Sequence, residues 1–113
     1  MHEFSIMQSA LELAEKNMRA SGATRIHRIR IRVGGLSGVA PEALRFAFEA
    51  LKTGTPTEGA DLEIENVPAV CWCPDCAAEF EAADRNYECP RCHRPSGQLR
   101  QGLELDLASL EIS

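Results

Sequence analysis

Residues 71–98 read CWCPDCAAEFEAADRNYECPRCHRPSGQ, and this stretch decides how the chain is organised. Cys73-Pro74-Asp75-Cys76 and Cys89-Pro90-Arg91-Cys92 are two CxxC pairs with twelve residues between them. A CxxC turn lets two thiolates reach one ion while nearby backbone N–H groups point at the sulfurs. Two such turns make a tetrahedral S4 site, which suits Zn²⁺ because that ion binds thiolate well and imposes no geometry of its own. Four protein ligands close the site, so its role is folding rather than Lewis-acid chemistry. About thirty residues with so few large apolar groups do not build a core, whereas structural Zn²⁺ supplies on the order of 10 kcal/mol. Phe80, Tyr87 and Trp72 are expected to pack around the sulfurs.

Three other readings of the cysteines stand beside this one. Iron in the same four thiolates would make an electron carrier. One CxxC alone would make a dithiol redox centre. A zinc ribbon can also bind nucleic acid, but here Asp75, Glu79, Glu81, Asp84 and Glu88 face Arg85, Arg91 and Arg94, the wrong balance for phosphate. Cys71 is the odd thiol of five and reads as a free cysteine. An odd count argues against a secreted disulfide framework and for metal ligation in a reducing compartment.

On either side of the module the sequence describes a scaffold. Residues 4–20 place Ile6, Met7, Ala10, Leu11, Ala14 and Met18 at helical spacing. Ser5 with Gln8 resembles a capping box, and Gly22 is placed to end the helix. Residues 26–33, IHRIRIRV, alternate, with Ile29, Ile31 and Val33 on one side and Arg28, Arg30 and Arg32 on the other. After GGLSG, Pro41 opens a second helix, PEALRFAFEALKTG, with Leu44, Phe48 and Leu51 on one face. ADLEIENV alternates through Leu62 and Ile64, and GLELDLASLEI through Leu103, Leu105 and Leu107, as two more strands. The fold class expected is α+β: two helices packed on a small three-stranded sheet, with an inserted zinc-ribbon-like module of two CxxC knuckles. The divided domain spans residues 1–68 plus 99–113, and the module residues 69–98.

The 113 residues carry a net charge of −5, unevenly spread. Residues 1–34 hold six Lys/Arg against three Asp/Glu, and the remainder six against fourteen. The overall sign argues against a nucleic-acid binder, while the basic strand offers a docking face for an acidic partner. No basic region leads into an apolar run with a cleavage site, and no stretch approaches the roughly 20 apolar residues of a membrane span. The chain reads as soluble and cytoplasmic.

The chain opens MHE. A free α-amine, the His2 amide nitrogen and the His2 imidazole Nδ1 form a five- and then a six-membered chelate ring in one plane. Planar nitrogen ligation favours Ni²⁺ or Cu²⁺. The amine has a pKa of about 8, so binding releases protons and weakens in acid. Glu3, His93 or a solvent molecule is available for the fourth position. On residues alone, His2 is equally an ordinary residue at a tolerant terminus. His27, on the basic strand, reads as structural.

MHE ahead of a helix with S-x-x-x-S, the strand ending VGGLSGV, the helix PEALRFAFEAL, and CxxC…CPxC before a terminal G-x-E-L strand together resemble the HypA/HybF family. The likeness runs through essentially the whole chain. It implies a metallochaperone, not an enzyme, that inserts nickel during maturation of [NiFe] hydrogenase, some members also serving urease. It implies Ni(II) as transient cargo on Met1, His2 and Glu3; His93, outside the family pattern, is a further candidate on its own chemistry. It implies structural Zn(II) on Cys73, Cys76, Cys89 and Cys92. The partners implied are a HypB-type GTPase and the hydrogenase large subunit, with the chaperone a monomer or weak homodimer and neither nucleic acid nor membrane involved. Cys71 is extra to the family pattern, and His93 stands where Gly is frequent. The alternative is a zinc-ribbon interaction or regulatory module in which MHE has no role with nickel.

Overall fold

The computed structural model describes residues 2–82 and 86–113, residue 2 by its main chain alone. Its elements are α1 (His2–Ala20), β1 (Ile26–Gly34), α2 (Pro41–Leu51), β2 (Asp61–Val67), β3 (Val70–Cys73), β4 (Ala78–Glu81), β5 (Gln98–Gln101) and β6 (Leu105–Ile112). They form two three-stranded sheets, one in the order β2-β1-β6 and the other β4-β3-β5. The radius of gyration is 17.4 Å and the long axis 54 Å. A compact chain of this length has a radius of about 13 Å, so the two sheets form two lobes set end to end.

The first lobe is built around β1, the central strand. It runs parallel to β2, joined by the α2 crossover, and antiparallel to β6. Ile29, Ile31 and Val33 of β1 are buried against Met7, Leu11, Ala14 and Met18 of α1 and Leu44, Ala47 and Phe48 of α2. Those helix residues recur at three and four, the helical period, so one stripe of each helix covers the sheet. Each fully buried aliphatic or aromatic residue contributes roughly 1.5–3 kcal/mol. The α+β scaffold of two helices on a three-stranded sheet agrees with the sequence reading.

Three details differ from it. The helix begins at His2, so Ser5 lies inside the first turns and is not its cap. Regular alternation through Leu103, Leu105 and Leu107 does not hold, because the strand starts at Leu105 and a register shift follows the pairing of Leu107 with Ile31. Leu107 lies opposite Ile31 and Ser109 opposite Arg30, so Ala108 is extra and Leu110 follows Leu107 into the core. Leu103 and Leu105 stay exposed. The arginines of β1 form no bare basic face either. Arg30 reaches Glu63 at 3.0 Å, Arg32 reaches Asp106 at 3.0 Å, and Arg28 lies between Glu63 and Glu111 at 3.9 and 3.4 Å. The flanking strands neutralise the charge that the sequence displays.

Among the described residues no helix is long and apolar enough to cross a membrane.

Candidate metal centres

The second lobe brings the four cysteines together. Cys73 ends β3 and Cys76 sits on the turn into β4, held by the pairing of Cys73 with Ala78. In the other knuckle the Cys89 N–H donates to the Arg94 carbonyl and the His93 N–H to the Cys89 carbonyl, both at 2.9 Å. Each knuckle is followed by a residue in the left-handed region, Ala77 at φ 50° and His93 at φ 62°. The four Sγ atoms lie within 4.8 Å of one another, with Cys73–Cys92 at 3.6 Å and Cys76–Cys89 at 3.9 Å. A tetrahedron with metal–sulfur bonds of about 2.3 Å has edges of about 3.8 Å. The donors and their spacing therefore fit Zn²⁺.

The knuckles prepare the sulfurs unequally. The backbone N–H of Cys92 lowers the Cys89 thiol to about 6, against the opposing effect of burial. Burial, with the neighbouring thiols, pushes Cys76 up to about 12. A metal entering this set displaces the Cys76 proton, so loading favours higher pH.

Cys71, only 1% exposed, lies opposite Phe80 on β4 and Leu99 on β5. Burial raises its pKa, and it packs as a small apolar group. Phe80 shares its cluster with Cys73 and Cys89. Trp72 does not join them, because alternation turns it to the opposite side of β3, where the Arg100 guanidinium sits 4.9 Å from its ring. Tyr87 is exposed.

At the other end of the molecule, Glu3 is half-buried on the first turn of α1, and its Oε2 accepts the Ala40 N–H at 3.3 Å. Met1, the His2 side chain and, in the module, Asp84 and Arg85 lie outside the described residues. His93 is exposed on the last zinc turn, its Nδ1 3.4 Å from Glu88 Oε2. His27 joins its Nε2 to the Ser113 hydroxyl at 2.6 Å, tying β1 to the residue after β6.

Residues 1–112, which include both lobes, match the family described as "Hydrogenase/urease nickel incorporation, metallochaperone, hypA". The chain belongs to the HypA family. It is 46% identical over 112 residues to the hydrogenase maturation factor HypA of Chloroflexus aurantiacus, covering 98% of each chain. It is 39% identical to that of Rhizobium leguminosarum bv. viciae, covering 99% of each. Its fold matches the solution structure of the Ni metallochaperone HypA from Helicobacter pylori with a TM-score of 0.68 at 28% identity, covering 97% of this chain and 96% of that one.

The sequence reading missed the residues that join the lobes. The chain leaves the scaffold at Val67 and returns at Gly102, and both crossings lie against the end of β1. The N–H groups of Gly34, Gly35 and Leu36 donate to the carbonyls of Glu104, Val67 and Gly102 at 2.7, 2.9 and 2.7 Å. A Cβ on Gly34 would lie 2.7 Å from the Glu104 nitrogen, and one on Gly102 2.8 Å from the Ala69 Cα. Leu36 packs into the cysteine cluster. The GG of VGGLSG was the available signal, since adjacent glycines at a strand end mark a close backbone approach. Ser96 was missed too. It is buried, and its hydroxyl donates to the Trp72 carbonyl while accepting the Gln98 N–H.

Proposed function

We propose that this protein is a nickel metallochaperone without catalytic activity, which binds Ni(II) at its N-terminus and delivers it to [NiFe] hydrogenase. The ligands are the Met1 amine, the His2 amide nitrogen and imidazole, and Glu3, with His93 as a candidate for the open position. Zn(II) on Cys73, Cys76, Cys89 and Cys92 is structural. Residues 1–68 with 102–113 make the nickel domain, and the zinc module, expected over 69–98, runs on to Gln101 because β5 pairs with β3. The partners are a HypB-type GTPase and the hydrogenase large subunit, urease being a further client. The protein works in the cytoplasm as a monomer or weak homodimer.

The observation that supports this reading is the tie between Glu3 and Ala40, which holds the Glu3 carboxylate at the start of α2. Because α1 begins at His2, the His2 N–H is one of the first four of a helix, which have no intrahelical acceptor. No acceptor within the helix holds that hydrogen against loss to a metal. The positive end of the helix dipole opposes a cation there and the Glu3 carboxylate offsets it, a balance that suits a carrier able to release its cargo.

The test is a calorimetric Ni²⁺ titration of untagged, zinc-loaded protein beside His2→Ala. The expected result is one Ni²⁺ per wild-type chain, none in the variant, and the same zinc content in both. Equal binding by the two proteins overturns the nickel reading and leaves a zinc-ribbon interaction module.

A further inference from the structure

The scaffold sheet has two edges, and they are finished differently. At the β2 edge, Arg45 of α2 donates to the Leu62 carbonyl at 3.3 Å. The cavity beside it is polar, lined by Arg45, Glu49, Lys52 and Asp61. A side chain already occupies a main-chain acceptor of that strand, a common way to blunt an edge. The β6 edge is flanked instead by an apolar groove of about 440 Å³ between the strand and α1. Ile6, Ala10 and Leu13 form its helical wall, and Leu105 and Leu107 its strand wall. Leu13 is 47% exposed and Leu105 38%. The groove lies along the β6 edge, so a strand added there would set its inward side chains against Leu13 and Leu105.

Charge selects the strand. Between Leu105 and Ile112, β6 carries Asp106 and Glu111 and no Lys or Arg. A second copy of β6 set against the first would bring acid to acid, which destabilises a cross-strand pair. On its inner side β6 already shows what it accepts. The β1 strand pairs with it by alternating aliphatic and basic residues, Arg32 on Asp106 and Arg28 on Glu111, with Ile29 and Ile31 beneath. A carboxylate has lone pairs for a second guanidinium on its open side.

We propose that the β6 edge and its groove dock an extended segment of a partner protein in which Arg or Lys alternates with Ile, Leu or Val. The segment adds as a fourth strand. Main-chain bonds give affinity and the alternation gives specificity, as in other strand-addition complexes. Neither Glu3 nor His93 lines this groove, and the proposal is tested on nickel-free, zinc-loaded protein.

The probe is a capped peptide of the β1 sequence, IHRIRIRV, with IHEIEIEV as control. The first is expected to bind and to slow amide hydrogen exchange along Leu105–Ile112 while leaving β2 unchanged. The control peptide, and the Leu13→Lys variant with the first peptide, should each bind about tenfold more weakly or worse. Leu13 is half exposed, and an unchanged melting temperature shows that the variant folds. Arg45→Ala should leave the peptide on β6. Equal binding of both peptides, protection along β2, or loss of β2 protection through displacement of the native β1 each overturns the proposal. So does self-association of the free protein that protects β6.

Discussion

The two lobes are held together by different means. The scaffold buries Ile29, Ile31, Phe48, Leu44 and Met7 in one continuous cluster. The module's cluster, among the described residues, is Ala69, Cys71, Cys73, Phe80, Ala82 and Cys89. Among these, Phe80 is the one large buried side chain of the module, with Leu36 and Leu99 partly buried beside it, where the scaffold has a dozen buried residues. The difference teaches that one chain can combine a lobe that folds on apolar area with a lobe whose order depends on coordination bonds. Sensitivity to metal removal and to core truncation should therefore divide at Val67 and Gly102.

The largest effect expected comes from the cysteines. Cys73→Ala, or zinc removal by a chelator at neutral pH, should withdraw on the order of 10 kcal/mol from the module. Amide exchange should become fast across β3, β4 and β5 and stay slow in β1, β2 and α2. Fast exchange throughout the chain would break the comparison. Next comes Ile29→Ala, which opens a cavity under the central strand. It should cost about 2–5 kcal/mol, read as a lower thermal midpoint, with zinc content unchanged. Loss of zinc in that variant would mean that the lobes do not hold separately. The smallest effect sharpens the contrast inside the module. Ala77 adopts φ 50°, a conformation that costs an L residue roughly 1–2 kcal/mol and glycine almost nothing. Ala77→Gly should raise the stability of the zinc-loaded module by up to about 1 kcal/mol, measured by denaturant titration, and leave the scaffold unaffected.

How legible each part was follows from the same contrast. The β1 alternation and the α2 stripe were plain because a buried face imposes a period on the sequence. The Cys73–Cys76 and Cys89–Cys92 spacing was plain because ligand geometry imposes one too. The second sheet was not legible. Its strands are four residues each, too short to show a period, and the inward positions of its central strand β3 are filled by Cys71 and Cys73 rather than aliphatics. Trp72 was misjudged as a neighbour of the sulfurs because its side of the strand depends on that unseen sheet. The Ala108 bulge escaped because one extra residue leaves an apolar pattern almost unchanged while it changes which leucines are covered. Ser5 looked like a cap because capping boxes are local, yet the helix extends past it to His2. His93 at φ 62° gives a physical reason that glycine would suit the position after a CPxC knuckle, where the resemblance alone implies that glycine is frequent.

The crossing at Gly34–Leu36 has one more consequence. Val67 and Gly102, the points of exit and return, are bonded to adjacent residues of the same short stretch. The scaffold's strand pairs, β1 with β2 and β1 with β6, use no residue between Pro68 and Glu104. The zinc lobe is thus a cartridge seated in a socket. The socket constrains how the chain enters and leaves but not what it encloses, so a different closed hairpin of any length could be spliced between those two points without disturbing the register of the sheet.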